Sequence, residues 1–416
     1  MIVNLTGQEA TQAQAIQYGA MEGTSPPAHL DQTRLYRLGR VRALLAEFDY
    51  AGILLYDQLN IRYATDATNM QLWCSHNEAR YCLILTQGPV ILFDYGGKDL
   101  LTKGLPTIDE TRPAQDFYYM YAGNNQDEKL ASWAGEIDDL LKQYGAGNKR
   151  LAVDRIAPIG TLALDRRGYD IMDGFTLMEE ARKLKSAGEL DLMRYAIHAA
   201  ENAIQMMRQH LSAGITENAL WAKLHEGNIA QGGEWIETRL LASGPRTNPW
   251  FQESSMRQIQ KGDMVAFDTD MIGPYGYCAD ISRSFVCDSK PSDDQKRLYA
   301  EANLQLEHNK ALLKPGISLR ELSSKLRIPP DQFKKIRYSV AMHGVGLCDE
   351  YPFIPYFDDF DEKGFDAVLL PGMCLCVEAL VALEGKGEAV KLEEQITITE
   401  DGFEQLSSLP LESAML

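Results

Sequence analysis

The segment that decides the fold reads Val265-Ala266-Phe267-Asp268-Thr269-Asp270-Met271. Apolar and polar residues alternate in it, which is typical of a strand and places Asp268 and Asp270 on one face. The turn signal Gly273-Pro274-Tyr275-Gly276 follows, and the chain then returns to Asp280. Because the turn lies almost midway between these acids, we expect the three carboxylates to meet across a hairpin.

A second acidic hairpin is predicted near the end of the chain. Residues 373–383 read as a strand that carries Glu378, and residues 390–399 read as a strand that carries Glu393. The turn Gly385-Lys386-Gly387 lies between them. Both glutamates are equally far from this turn, so we expect them to face each other across the ladder.

The second half of the sequence contains an internal repeat. Gly214-Ile215-Thr216 recurs 102 residues later as Gly316-Ile317-Ser318, and Leu and Lys follow at matching positions in both copies. In each copy we expect the glycine to end one helix and the Thr or Ser to cap the next. Such signals also occur by chance, but here each copy is followed by one acidic strand pair. The repeat therefore predicts two similar halves.

The acids of the two hairpins form a candidate metal site together with a histidine. An isolated charge costs several kcal/mol to bury, so five carboxylates aimed at a sheet interior need cations unless they lie at a solvated rim. Ordinary exposed acids are the alternative, but the neighbouring Phe267 and Val377 are apolar. One imidazole with carboxylate oxygens suits two bridged divalent ions such as Fe, Mn, Co or Zn. The predicted ligands are Asp268, Asp270, Asp280, His343, Glu378 and Glu393.

The first half of the chain has the pattern of an α/β domain. Short apolar runs alternate with helical patterns, the runs being residues 51–56, 79–85, 90–95 and 151–153. Residues 1–30 are small and polar and are expected to form an N-terminal arm. Ser186 and Glu189 form a capping-box signature that starts a long helix, which places a domain boundary nearby. We therefore predict an α/β (α+β) protein with domains over residues 1–180 and 181–416.

The composition excludes several classes of partner. The 416 residues carry a formal net charge of −18, which disfavours binding to nucleic acid or to an anionic membrane. No stretch approaches the ~18 apolar residues of a membrane span, and the N-terminus lacks the pattern of a signal peptide. Seven cysteines without a CxxC motif are typical of reduced thiols, so we expect a cytoplasmic protein.

The order Asp, Asp, His, Glu, Glu on two similar halves resembles the pita-bread metallopeptidase family, which includes methionine aminopeptidase, aminopeptidase P, prolidase and creatinase. The resemblance implies a creatinase-like N-terminal α/β domain, a pita-bread C-terminal domain with a pseudo-two-fold repeat, and a homodimer. It also implies metal ligation by Asp280, His343, Glu378 and Glu393. Two divalent ions are expected, iron first, with manganese, zinc, cobalt or nickel as alternatives.

Three departures from the family pattern argue against peptidase activity. The family has one Asp eleven residues before the second metal-binding Asp, whereas Asp268 and Asp270 lie twelve and ten residues before Asp280. Peptidases keep a His after the Ser-Gly turn, and residues 243–251 contain none. They keep another His seven residues after the ligand His, where this chain has Glu350. These imidazoles help to bind and protonate a peptide, so their joint absence disfavours amide hydrolysis.

Four longer strings resemble the dimethylsulfoniopropionate (DMSP) lyase branch of this family, namely residues 60–66, 68–73, 233–241 and 343–350. The likeness extends from about residue 30 to the C-terminus and includes the paired Asp268 and Asp270. It implies that Asp349 is the catalytic base and that Tyr338 lies beside the substrate. The alternative for Asp349 is a surface acid in a simple turn.

The chemistry of DMSP fits these residues. DMSP carries a carboxylate at one end and a dimethylsulfonium at the other, so a dinuclear site can bind the carboxylate and make the adjacent C–H more acidic. Removal of that proton by Asp349 would release dimethyl sulfide and leave acrylate, without an activated water. Aromatic faces tolerate a sulfonium. The candidates are Tyr338, Trp73, Trp250 and Phe251, each of which can instead be a core or interface aromatic.

Three rival functions stay open on the sequence. The first is an Xaa-Pro aminopeptidase or prolidase, which proline release from Xaa-Pro peptides would reveal. The second is a creatinase-like hydrolase, or a lyase acting on another small onium carboxylate. The third is a metal-free interaction module, which elemental analysis would reveal.

Overall fold

The computed structural model describes residues 27–96 and 101–416. This part of the chain divides into two compact units, residues 27–182 and residues 183–416. Residues 1–26 of the predicted N-terminal arm lie outside the described residues. Within the described ranges, no helix is both long enough and apolar enough to cross a membrane.

The N-terminal unit is built around one sheet. Its helices are α1 Leu30–Glu47, α2 Gln58–Thr65, α3 Gln71–His76, α4 Tyr119–Ala122, α5 Gln126–Tyr144, α6 Pro158–Asp165 and α7 Gly174–Arg182. Its strands are β1 Gly52–Leu55, β2 Tyr81–Leu85, β3 Val90–Asp94, β4 Glu110–Pro113, β5 Arg150–Val153 and β6 Asp170–Asp173. The strand order is β4-β3-β2-β1-β5-β6, and β1 is antiparallel to β2 but parallel to β5. The predicted apolar runs are therefore strands of one mixed sheet.

The central strands of this sheet are apolar throughout. Every residue of β1, β2 and β3 is buried, as expected for strands that are covered on both faces. Trp133 and Ile137 of α5 are fully buried and pack in the same core cluster as the strand residues Leu54 and Leu83. Burial of apolar surface between helix and sheet is thus the main stabilisation of this unit.

The C-terminal unit combines helices with three antiparallel sheets. Its helices are α8 Ala187–His210, α9 Glu217–Ala230, α10 Asp293–Lys310, α11 Leu319–Lys325, α12 Asp331–Lys334 and α13 Phe357–Lys363. Its strands are β7 Trp235–Ile236, β8 Leu241–Ser243, β9 Met264–Phe267, β10 Met271–Ile272, β11 Cys278–Ala279, β12 Arg283–Val286, β13 Met342–Val345, β14 Asp349–Ile354, β15 Cys374–Leu383, β16 Lys386–Ile398 and β17 Phe403–Gln405. Within residues 183–416 the sheets have the orders β11-β10-β7, β12-β9-β8 and β14-β13-β15-β16-β17.

The predicted internal repeat is visible as equivalent hydrogen bonds. The backbone N–H of Gly214 donates to Ile259 O, and that of Gly316 donates to Leu369 O, both at 2.8 Å. Both glycines have a positive φ, +95° and +82°, a conformation that glycine adopts without strain. The two halves of the unit therefore begin with the same local structure.

Side-chain caps start the helices where the sequence indicated. Ser186 and Glu189 form the full capping box of α8. Thr216 accepts from Ala219 N at the start of α9, and Ser318 accepts from Glu321 N at the start of α11. Each cap satisfies a backbone donor that has no partner within its helix. The main core of the unit lies where α10 packs on the large sheet, and it includes Leu298, Leu306, Leu375, Val377 and Val390.

Candidate metal centre and active-site cavity

The second acidic hairpin is formed by β15 and β16 in the predicted register. Glu378 lies directly opposite Glu393 in the antiparallel ladder. Both side chains are buried, with relative exposures of 1% and 0%. The period of two along each strand sends both carboxylates to the same face of the sheet, so the two acids meet there.

The first acidic hairpin differs from its prediction in one respect. A continuous strand over residues 265–271 is wrong, because β9 ends at Phe267 and β10 begins at Met271. Asp270 has a φ of +37°, a left-handed conformation that interrupts the strand. The hairpin itself is present, since Met271 pairs with Ala279. Asp270 and Asp280 therefore flank one ladder pair, and Asp268, Asp270 and Asp280 all line one cavity.

His343 lies on β13 at the centre of the acidic cluster. Its Nε2 atom is 3.5 Å from Asp280 Oδ2, from Glu378 Oε1 and from Glu393 Oε1. The strand pairing shifts by a β-bulge directly after His343. Gly344 follows, and a Cβ there would overlap the backbone of Tyr351. The bulge and the glycine together let β14 approach closely while the imidazole faces the acids.

The cluster has the chemistry of a cation site. Three carboxylate oxygens are buried and accept no hydrogen bond from any described residue: Asp280 Oδ1, Glu378 Oε1 and Glu393 Oε1. Unpaired buried acceptors of this kind are costly, and buried charges normally pair or coordinate metals. Groups of potential ligand atoms within 4.8 Å of one another are Asp280, His343, Cys376 and Glu393; Asp268, Glu378 and Glu393; and Asp270, Asp280 and Asp349. The residues present therefore fit divalent ions.

The pKa values of two acids in the cluster are raised, mainly by burial. Burial raises the pKa of Asp270 to about 8, and the neighbouring Asp268 adds to the shift. Burial also raises the pKa of Glu378 to about 8, although Lys391 opposes the shift. Carboxylates in this state gain stability from any cation that binds among them.

A buried lysine inside the acidic cluster was not predicted from the sequence. Lys391 Nζ donates to Asp268 Oδ2 at 2.9 Å and to Glu393 Oε2 at 2.9 Å, and it lies 2.7 Å from Glu378 Oε2. A fourth oxygen, Ser282 Oγ, accepts from it at 2.9 Å. The ammonium thus occupies one oxygen of each glutamate and leaves the other oxygen facing His343. The sequence carried a signal for this, because Lys391 precedes Glu393 by two residues on one strand and must share its face.

The candidate site opens into a cavity of about 380 Å³. It is lined by Glu237, Thr238, Arg239, Leu240, Phe251, Glu253, Asp268, Asp270, Asp280, Tyr338, His343, Asp349 and Glu378. Thr238 Oγ1 donates to Asp270 Oδ2 at 2.6 Å and so fixes that carboxylate. The contact of Thr238 with Asp270 was not predicted from the sequence, although Thr238 lies in the string of residues 233–241 that carries the family resemblance.

Asp349, the predicted base, is the first residue of β14 and lines this cavity. Its Oδ1 atom is 3.6 Å from His343 Nδ1, and 60% of its side chain is exposed. The surrounding protein still removes part of its hydration and raises its pKa, an effect that His343 opposes. A carboxylate that is reachable from the cavity and lies beside the cluster is in a position to accept a proton from a bound molecule.

The aromatic candidates lie in different places. Tyr338 and Phe251 line the cavity, with ring centroids 5.4 Å apart. Trp250 is buried, is not among the described residues lining this cavity, and lies 5.8 Å from Lys391 Nζ. Trp73 belongs to the N-terminal unit, where its ring is 6.1 Å from that of Tyr95. Of the four, Tyr338 and Phe251 are the ones that line the cavity.

A cluster of five carboxylates and one histidine is typical of a metal-dependent enzyme. Residues 191–400 match metallopeptidase family M24, and the chain belongs to that family. The fold agrees with solved structures of its members. An Xaa-Pro dipeptidase from Bacillus anthracis superimposes with a TM-score of 0.74 at 22% identity, covering 91% of this chain and 99% of that one. The predicted fold class is confirmed.

Among curated proteins, the chain is similar over nearly its whole length to two lyases. It is 43% identical to dimethylsulfoniopropionate lyase DddP of Roseovarius nubinhibens, over 93% of this chain and 88% of that protein. It is 43% identical to the protein of the same name from Roseobacter denitrificans, over 92% and 87%. The similarity to an Xaa-Pro dipeptidase of Pyrococcus horikoshii is lower, 27% over 65% of this chain and 76% of that protein. The predicted resemblance to the DMSP lyase branch is confirmed.

Proposed function

We propose that the chain is a metal-dependent carbon–sulfur lyase that cleaves DMSP to dimethyl sulfide and acrylate. The observation that carries the proposal is the placement of Asp349 in the same cavity as the acidic cluster around His343. The 43% identity to two proteins named DMSP lyase, over more than nine tenths of the chain, supports the same activity. An acid-rich metal site with an adjacent carboxylate base is what elimination from a carboxylate substrate requires.

The proposed metal ligands are those predicted from the sequence: Asp268, Asp270, Asp280, His343, Glu378 and Glu393. Divalent ions bound there would act as Lewis acids for the substrate carboxylate. We propose two ions, iron first, with manganese, zinc, cobalt or nickel as alternatives. The bare buried oxygens of Asp280, Glu378 and Glu393 support this set.

The side chains of the cavity account for the remaining chemistry. Asp349 accepts the proton from the carbon next to the substrate carboxylate. The electron pair of that C–H bond forms the C=C bond of acrylate, the C–S bond breaks, and its electrons leave with dimethyl sulfide. The faces of Tyr338 and Phe251 offer a site for the sulfonium, since aromatic rings attract cations. Trp250 and Trp73 stay predicted substrate contacts.

Peptide hydrolysis is disfavoured by the residues at two positions where the peptidases have histidine. Residues 243–251 contain no histidine, and Glu350 occupies the position of the second peptidase histidine. Glu350 is buried and bound to Lys185 Nζ at 2.7 Å, so it does not offer an acid to a substrate. The chain has no imidazole at these two places to protonate a leaving amine.

We also propose a domain organisation, an oligomeric state and a cellular location for the protein. The functional units are an N-terminal domain over residues 1–180 and a catalytic domain over residues 181–416. The protein acts on a small zwitterion as a cytoplasmic homodimer, with neither nucleic acid nor membrane as partner. Measurement of the molecular mass in solution tests the homodimer, and cell fractionation tests the cytoplasmic location.

Headspace detection of dimethyl sulfide tests the proposed function. Purified chain loaded with divalent metal should release dimethyl sulfide from DMSP, and Asp349→Asn should lower the rate by about 10²- to 10⁴-fold while keeping its metal. Asp361→Asn, a control at a side chain that is 93% exposed, should behave like wild type. Wild-type release of proline from an Xaa-Pro dipeptide, with no dimethyl sulfide from DMSP, would overturn the proposal.

A further inference from the structure

The residue that follows the proposed base is buried in an ion pair. Glu350 Oε2 accepts from Lys185 Nζ at 2.7 Å, and Glu350 Oε1 accepts from the backbone N–H of Leu347 at 3.0 Å. The two charged side chains are only 2% and 1% exposed. Both oxygens of this carboxylate are therefore occupied, which is the condition under which a buried ion pair is tolerated.

The loop between β13 and β14 is wrapped around the carboxylate of Glu350. Gly346 N donates to Cys348 O at 2.9 Å, and Gly346 O accepts from Cys278 N at 2.7 Å. A Cβ at Gly346 would overlap the carboxylate of Glu350 in the position where its two hydrogen bonds hold it. The path of the loop thus depends on where the Glu350 side chain is held.

Lys185 holds Glu350 from a rigid element. Its backbone N–H donates to Gly372 O at 2.8 Å, and the next residue, Ser186, is the N-cap of α8. Its backbone is therefore anchored shortly before β15, and burial restricts its side chain. Flexible lysines on a surface do not have this property.

The strand geometry connects Glu350 to the base. Asp349 and Glu350 are consecutive residues of β14, and consecutive side chains of a strand point to opposite faces. Glu350 points into the protein to Lys185, so Asp349 points into the cavity. A rotation of the strand that released Glu350 would move the Asp349 carboxylate away from the substrate.

We propose that the Lys185–Glu350 ion pair is a positioning device for Asp349. The inference rests on the proposed function. It also gives a role to the residue that replaces a peptidase histidine at position 350. Misplacing a reacting group by about 1 Å costs up to about 10²-fold in rate, so the pair is expected to act on kcat.

Kinetics of neutral variants tests the inference. Glu350→Gln and Lys185→Met should each lower kcat on DMSP by about 10- to 100-fold, with KM and bound metal within about twofold of wild type. The primary isotope effect with DMSP deuterated next to the carboxylate should rise, because proton removal becomes more rate-limiting. Loss of general stability alone would not change this isotope effect.

A matched control separates positioning from stability. Glu301 forms a two-point ion pair with Arg327 in the same unit, outside the cavity, at 3.0 and 2.9 Å. Glu301→Gln should lower the melting temperature and leave both kcat and the isotope effect unchanged. If Lys185→Met and Glu350→Gln behave like this control, the inference is overturned.

Two further outcomes keep the inference falsifiable. If the neutral variants do not fold, Glu350→Asp takes their place, because it keeps the charge but shortens the side chain and should move Asp349, lowering kcat at least about fivefold. A folded Glu350→Asp protein with normal metal content and the kcat and isotope effect of wild type would contradict the inference. Wild type that releases no dimethyl sulfide overturns the proposed function instead, so the two failures are distinguishable.

Discussion

Two buried charge clusters of this protein have opposite composition. In the N-terminal unit, the carboxylate of Asp66 accepts from Arg34 Nε and from Arg37 Nη2, both at 2.8 Å. In the C-terminal unit, the ammonium of Lys391 lies between three carboxylates, those of Asp268, Glu378 and Glu393. One cluster is an anion shared by cations, and the other is a cation shared by anions.

The pKa values show what this difference means. Burial alone would raise the pKa of Asp66, but Arg37 and Arg34 outweigh it and the pKa is lowered. Burial raises the pKa of Glu378 to about 8, and Lys391 does not compensate. The first cluster neutralises its own acid and stabilises the fold. The second leaves Glu378 protonated below about pH 8 and leaves buried carboxylate oxygens without a hydrogen bond, which an added cation would pair with.

The largest effect is expected from removing one acid of the second cluster. Glu393→Gln should lower bound metal and reduce the rate of dimethyl sulfide release by about 10³-fold, because Lewis-acid stabilisation is worth several kcal/mol. Elemental analysis and headspace detection measure both. Glu394→Gln is the control, since Glu394 pairs with Arg283 at 2.8 Å on the other face and should keep its metal. Full metal content and activity in Glu393→Gln would contradict the assignment.

Removing the ammonium of Lys391 should make the stability of the protein depend more strongly on bound metal. Lys391→Met is expected to lower the free energy of unfolding of the chelator-treated protein by about 3–5 kcal/mol, the cost of breaking a buried charge cluster. Divalent ions should restore more stability to this variant than they add to wild type, because they replace a lost positive charge. Denaturant unfolding with and without metal measures this.

A second lysine provides the control for that experiment. Lys310 is largely buried and pairs with Glu307 at 2.7 Å, away from the cavity. Lys310→Met should show the same metal-dependent stabilisation as wild type. If Lys391→Met lowers the free energy of unfolding equally with and without metal, Lys391 stabilises the fold and has no role in metal binding.

Removing the shared anion of the first cluster should cost stability that metal does not restore. Asp66→Asn is expected to lower the free energy of unfolding by about 3–5 kcal/mol. Asp31 also binds Arg34, at 2.7 Å, but its side chain is 63% exposed. Asp31→Asn should therefore cost less than about 1 kcal/mol. Similar losses of unfolding free energy in the two variants would show that burial does not determine how much an ion pair contributes.

The Asp66 cluster also predicts a pH dependence. The folded pKa of Asp66 is lowered, so its contribution to stability is fully present above the unfolded value of about 3.9 and is lost as pH falls further. The stability difference between wild type and Asp66→Asn should be constant from pH 5 to 8 and shrink below about pH 4. Urea unfolding at pH 7 and pH 3 measures it, and an unchanged difference at pH 3 would be contradictory.

The smallest effect concerns the cavity mouth. Phe251 is 60% exposed and lines the cavity, so Phe251→Ala should raise KM for DMSP about 3- to 10-fold and leave kcat unchanged, as expected for loss of a cation–π contact. The inhibition constant of 4-methylpentanoate, in which an uncharged CH replaces the sulfonium, should change less. Phe357→Ala removes an aromatic ring that is 49% exposed on α13 and is the control. Equal changes for DMSP and the isostere would exclude a cation–π role.

The sequence was most informative where structure is local. The pairing of Glu378 with Glu393 was predictable, because a period of two and a symmetric turn fix the register of a hairpin. The helix starts at Ser186, Thr216 and Ser318 were predictable for a similar reason, since a cap and its partner lie three residues apart.

The remaining features of the site depend on packing between distant segments. The break before Asp270 was missed because apolar and polar residues continue to alternate through it. The burial of Trp250 was not predictable, since an aromatic ring in a core and one in a cavity look alike in sequence. Lys391 was missed although its spacing from Glu393 indicated a shared face, because a lysine near acidic residues is usually a surface residue.

Proton NMR of the products formed from DMSP tests directly whether the protein catalyses elimination. The metal-loaded chain should convert DMSP to equal amounts of dimethyl sulfide and acrylate, and the chelator-treated chain should not. Unreacted DMSP under full metal loading would contradict the account. So would 3-hydroxypropionate in place of acrylate, because that product requires attack by water and not removal of a proton.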